Sequence, residues 1–174
     1  LAGFIFTMKK IVLTLPSALT FLLLLYSQVL ATSRYISIAP STTEILFALG
    51  LDEEIVGVSS YCNYPPKAKV KAKIGDFSRP NIEKIISLRP DYIFCTGLEQ
   101  VPVVEQLKRL KLNVYVSDPS NIEELFETIN DIGRITGKER EAAQLLEKMR
   151  SDIEEVSSKV KLIPQEKRIK AFIE

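Results

Sequence analysis

Between Tyr35 and Gly97 short apolar runs alternate with capped helical segments, and that alternation leaves few folds open. Arg34-Tyr-Ile-Ser-Ile-Ala-Pro40 leads into Ser41-Thr-Thr-Glu44 and the apolar Ile45-Leu-Phe-Ala-Leu-Gly50. Ile55-Val-Gly-Val-Ser-Ser-Tyr61 leads to the turn Asn63-Tyr-Pro-Pro66, then Gly75-Asp-Phe-Ser-Arg-Pro-Asn-Ile-Glu83, a helical Lys84–Arg89, and Asp91-Tyr-Ile-Phe-Cys-Thr-Gly97. Strand, helix and strand at this spacing predict an α/β fold, a Rossmann-like lobe with a central parallel sheet of four strands flanked by helices. Such sheets bind ligands beyond the carboxyl ends of their strands. Those ends read Pro40-Ser41, Ser60-Tyr61, Thr96-Gly97 and Ser117-Asp118, which makes Ser41, Ser60, Tyr61 and Gly97 candidate ligand contacts.

Local signals divide the chain further. Ser41-Thr-Thr-Glu44 and Ser120-Asn-Ile-Glu123 have the spacing of capping boxes, and Gly50 is placed to end the first helix. Pro80 suits a first helical turn, and Pro90 ends that helix. Val101–Leu110 predicts a helix with Val104, Leu107 and Leu110 on one face; Asn113–Asp118 predicts the fourth strand. A helix through Ile122, Leu125, Phe126, Ile129 and Ile132 stops near Gly137. Residues 34–137 thus form one α/β lobe, large enough to bury its own core. From Lys138 to about Leu162 there is neither Gly nor Pro, and Leu145, Leu146, Met149, Ile153, Val156 and Val160 form one stripe of a long helix over 138–163. Residues 168–174 read as the first strand of a further lobe, so the chain is expected to be cut after its first lobe.

Composition excludes several functions. Neutral balance, 23 basic against 22 acidic residues, gives no electrostatic reason to expect nucleic acid. The chain has no His, the commonest general base at neutral pH and a frequent metal ligand, and no phosphate-cradling Gly-rich loop; a non-catalytic protein without a cofactor is expected. Met8-Lys-Lys10, the apolar Ile11–Leu25 and the small residues of Val29-Leu-Ala31 read as a signal peptide cleaved near Ala31, with Leu1–Thr7 as upstream residues. The alternative is an uncleaved anchor, since Ile11–Leu30 is about long enough to span a bilayer. No Cys follows Ala31 closely, so no lipid anchor is expected, and the mature protein is expected to be a periplasmic monomer. Cys62 and Cys95 both lie near strand ends. With a strand between theirs the gap is roughly 10 Å, too far for a disulfide, and Cys95 is then a small core residue.

Other residues keep two readings. An exposed Tyr61 beyond a strand end is a ligand contact or a packing residue. Phe77 faces a ligand or folds back on the lobe core. Tyr64 before two prolines is a turn residue. Glu83 in a first helical turn is favoured by the helix dipole with no partner at all. Asp76 and Asp118 are read as solvated loop acids rather than a catalytic pair.

Together, Tyr35–Glu44, Val56-Gly-Val-Ser-Ser-Tyr-Cys-Asn-Tyr-Pro-Pro66 and Pro80-Asn-Ile-Glu-Lys-Ile-Ile-Ser-Leu-Arg-Pro-Asp91 resemble the periplasmic binding proteins for cobalamin and iron-siderophores, the substrate receptors of type II ABC importers. That family has two α/β lobes joined by a long rigid helix, with the ligand in the cleft between them. The resemblance spans Arg34–Glu174 and implies the first lobe, the interlobe helix and one strand of a second lobe. It is nearest to the cobalamin receptor. It implies that Tyr61 walls the cleft, that Phe77 stands where that receptor carries a Trp against the corrin, and that Glu83 docks on an Arg of the membrane permease. A siderophore receptor of the same fold is the alternative ligand class. A Rossmann-like nucleotide-using enzyme and an inactive gene fragment are alternatives of other kinds.

Overall fold

The computed structural model describes residues 32–169. The leader and upstream residues expected over 1–31, and residues 170–174 of the expected last strand, lie outside the described residues. The elements run β1 (Tyr35–Ser37), α1 (Pro40–Ala48), β2 (Ile55–Val58), α2 (Ile82–Ser87), β3 (Tyr92–Thr96), α3 (Val101–Arg109), β4 (Val114–Ser117), α4 (Ile122–Thr136) and α5 (Glu139–Lys161). Short 3₁₀ turns occupy Pro66–Val70, Leu98–Gln100 and Gln165–Lys167. The four strands are parallel in the order β2-β1-β3-β4, as the alternation predicts.

Both sheet faces are covered, and successive strand residues feed opposite faces. Tyr35, Val58 and Phe94 join a core with Leu46 of α1, Phe126 and Ile129 of α4, and Ala142 and Leu146 of α5. Ile36, Ile93 and Cys95 join a second core with Ile85 of α2 and Val103, Val104 and Leu107 of α3. The expected face of α3 is rotated slightly: Val103 is buried, whereas Leu110 is exposed. The long stripe on α5 is divided. Leu146 is buried, with Leu145 and Met149 packed beside it, while Ile153, Val156 and Val160 are exposed. No helix among the described residues is long and apolar enough to cross a membrane.

Three cap expectations need correction. α1 begins at Pro40 with Ala39 as its cap and no side-chain cap bond, so Ser41 lies inside the first turn; the fixed φ of proline starts the helix earlier than the serine would. The second box is shifted by one residue. The Asn121 side chain accepts the Glu124 N–H (2.9 Å) and the Glu124 carboxylate accepts the Ser120 N–H (2.7 Å). Pro80 precedes α2 rather than entering it, because Asn81 caps the helix by accepting the Lys84 N–H.

Cys62 and Cys95 are unpaired and buried, in the cores on opposite sheet faces, with β1 between their strands. Burial pushes the Cys95 thiol up to about 12. Tyr115 is likewise raised to about 12, first by burial and then by its hydrogen bond to Asp131. The folded chain therefore holds these protons more tightly than the unfolded one. The resulting stability is complete below about pH 9 and is lost as the pH rises towards 12. Urea midpoints are expected to be lower at pH 11 than at pH 8, and Cys95 to react with a thiol reagent at pH 8 only after denaturation. Equal midpoints, or rapid native-state labelling of Cys95, would contradict this.

Candidate functional site

The parallel strands all end on one side, and the loops that leave them make the candidate surface. Beyond β2, the Ser60 N–H donates to the Gly75 carbonyl (2.8 Å), and its hydroxyl donates to the same oxygen (3.0 Å). That pair of hydrogen bonds ties the Gly75–Pro80 loop to the end of β2. Beyond β3, Gln100 ties the same loop to β3. Its Oε1 accepts the Thr96 N–H (2.9 Å), and its Nε2 donates to the Phe77 carbonyl (3.0 Å). Gln100 is fully buried. The loop is therefore held at Gly75 by Ser60 and at Phe77 itself by Gln100.

Tyr61, next to Ser60, is 58% exposed, and Phe77 is partly buried. Gly97 is packed under Asp118: a Cβ added at Gly97 would clash with the Asp118 carboxylate. Glycine there lets the loops after β3 and β4 approach closely. Asp76 accepts the Ser78 N–H and so shapes the Phe77 loop. Neither Asp76 nor Asp118 has an ion-pair partner among the described residues.

Beneath this surface lies a buried hydroxyl cluster. Thr43 Oγ1 is 2.7 Å from Ser37 Oγ and 3.1 Å from Cys62 Sγ, and Ser59 Oγ is 3.2 Å from Cys62 Sγ. Thr42 Oγ1 lies 2.7 Å from Ser37 Oγ. These groups satisfy one another and fix the turns after β1 and β2.

The predicted residues thus fall into groups. Ser60, Tyr61, Phe77 and Gly97 stand at the carboxyl end of the sheet, where the bonds just described tie the Phe77 loop to Ser60 and to β3. Ser41 is exposed in the first turn of α1 and opens onto a different concavity, an apolar groove of about 380 Å³ with Tyr64, Leu125 and Met149 along it. Tyr64 forms a cis bond to Pro65. Glu83 is exposed in the first turn of α2. Gln100 and the Ser37–Thr43–Cys62 cluster were not predicted. A lone Gln before a helix carries no sequence signal of burial, and Thr42 and Thr43 read locally as part of a cap.

Comparison with known proteins places this geometry. The model of the periplasmic binding protein family matches residues 36–173. An ABC transporter substrate-binding lipoprotein of Bacillus subtilis (strain 168), YvrC, is 34% identical over 145 residues, covering 81% of this chain and 46% of that protein. The vitamin B12-binding protein of Yersinia pestis (strain Pestoides F) is 33% identical over 125 residues, covering 71% of this chain and 44% of its own length. The structure of the periplasmic vitamin B12-binding protein BtuF of Vibrio cholerae superposes with a TM-score of 0.67 at 28% identity, over 73% of this chain and 50% of that one. The chain spans about half the length of the relatives it matches. With the sheet order, the strand-end loops and these matches in agreement, the chain belongs to the periplasmic binding protein family.

Proposed function

We propose that the protein is an extracytoplasmic substrate-binding subunit that delivers cobalamin, or a related large metal chelate, to an ABC importer, without catalysis. The observation that carries this reading is the exposed Tyr61 next to Ser60, with the Phe77 loop fixed at Gly75 and at the Phe77 carbonyl to the carboxyl end of the sheet. A broad chelate needs rigid aromatic walls and a few polar contacts at their edges. Charge favours a neutral ligand. Asp76, Glu99 and Asp118 stand at this end of the sheet with Arg79 as the neighbouring cation, so a polyanionic chelate meets repulsion there. A ferric siderophore of the same size class is the alternative cargo. In this reading α5 links the lobe to a second wall of the cleft, and Glu83 docks on a cationic residue of the permease.

Titration of the purified protein with cyanocobalamin tests the reading. Saturable binding is expected, with Tyr61→Ala weakening it at least about tenfold, as for an aromatic anchor. Saturation by a ferric trihydroxamate but not by cyanocobalamin would move the cargo to the siderophore class. Binding of neither would overturn the receptor reading.

A further inference from the structure

Gln100 is the buried polar side chain that spans from a strand end to the loop carrying Phe77, and the receptor reading gives it no part. Its two bonds are of opposite kinds. Thr96 offers only an N–H, and the Phe77 backbone at this point offers only a carbonyl oxygen. The two ends of one amide therefore have a single satisfactory orientation, with the oxygen towards β3 and the nitrogen towards the loop. No other side chain of this length supplies both an acceptor and a donor without charge. A carboxylate keeps the acceptor and sets negative charge against the Phe77 carbonyl. A thioether of similar volume supplies no strong donor or acceptor for either partner. Left without partners in this part-buried setting, those two backbone groups would each cost more than a typical bond contributes. The ends of the loop are held differently, by Ser60 on Gly75 and by the Asn81 N–H on the Ile74 carbonyl (2.7 Å), so loss of the Gln100 bonds frees the Phe77 carbonyl while both ends stay anchored.

We infer that Gln100 is a positioning residue of the ligand cleft, acting through Phe77 by fixing the height and direction of the loop that presents the ring. The inference rests on the proposed receptor reading, in which Phe77 faces the ligand. It makes Gln100 a determinant of affinity although Gln100 itself is fully buried.

A double-mutant cycle in the purified protein, read with cyanocobalamin, tests it. Gln100→Met and Phe77→Ala are each expected to weaken binding about tenfold, and the double variant to be no weaker than Phe77→Ala alone, since the clamp has nothing left to position. The chain contains no Trp, so Phe77→Trp places a single indole reporter on the loop. Adding Gln100→Glu or Gln100→Met to it is expected to lower the indole's anisotropy in the absence of ligand. Ile85→Val, a buried change in α2, serves as a control for general destabilisation and is expected to alter neither readout. Additive losses in the cycle, or an unchanged anisotropy, would overturn the positioning role while leaving the receptor reading in place. Unchanged affinity in both Phe77→Ala and Tyr61→Ala would overturn the receptor reading and the inference with it.

Discussion

Phe94→Ala is expected to lower the unfolding free energy by about 3–5 kcal/mol, the usual cost of deleting a large aromatic ring from a core. Phe94 is fully buried on β3, one of the two inner strands, and its ring meets three others. The centroid of Tyr35 lies 5.8 Å away, that of Tyr92 6.0 Å and that of Tyr115 6.1 Å. Removal therefore opens a cavity bordered by rings whose backbones are fixed in β1, β3 and β4, which limits how far they can collapse into it. Small domains are stable by only about 5–15 kcal/mol, so the loss is a large part of the whole. Phe94→Leu, which retains most of the volume, is expected to cost less than half as much. Urea denaturation followed by circular dichroism measures both, and a loss below about 1 kcal/mol for Phe94→Ala would show that the ring is not the centre of this core.

Gly133→Leu is expected to act on the other large contact, that between α4 and α5. A Cβ at Gly133 would lie 2.8 Å from the Ala142 Cβ and 3.3 Å from the Lys138 carbonyl oxygen. Neither neighbour is the free end of a flexible side chain, so the helices must separate. Overpacking of this kind costs about 1–3 kcal/mol. It also tilts α5 relative to the sheet, and in the proposed receptor that tilt displaces the second wall of the cleft. Both stability and cyanocobalamin affinity are therefore expected to fall. Ala142→Gly in the same chain removes one of the clashing atoms and is expected to restore part of each. A double variant as unstable as Gly133→Leu alone would show that the contact with Ala142 is not the source of the loss.

The fold was legible because parallel strands buried on both faces must be short apolar runs, and their alternation with helices allows little else. Local chemistry was harder to place. Ser41 looked like a cap because serine caps helices well, yet Pro40 had already started α1. Asn121 and Ser120 are both good caps, and the choice between them was made by Glu124, whose carboxylate reaches both. The site was legible only as far as topology reaches. That strand ends gather ligand contacts follows from the fold, and Ser60, Tyr61, Phe77 and Gly97 do lie together at that end. Ser41 turned instead towards the groove beside Tyr64. Gln100 was invisible because its partners, Thr96 and Phe77, lie on different segments, and nothing in Leu98-Glu-Gln100 reports that the third residue is buried. The α5 stripe shows the converse limit: periodicity gives a helix an apolar face but does not say which part of that face is covered.

The position of β1 has a consequence for how the protein acquires its structure. The first strand of the sequence is an inner strand of the sheet, with β2 on one side and β3 on the other. Its pairing with β3 is latched at the base, where the Arg34 N–H donates to the Asp91 carboxylate across 57 residues (2.7 Å) and the Asp91 N–H donates back to the Arg34 carbonyl (2.8 Å). β1 and β2 can associate early, as can β3 and β4, because each pair closes a shorter loop. Joining the two halves closes the longest one, and its entropy must be met before the central contacts form. Assembly should thus be a docking of two preformed halves, and until Asp91 arrives β1 remains an unpaired edge open to a wrong partner.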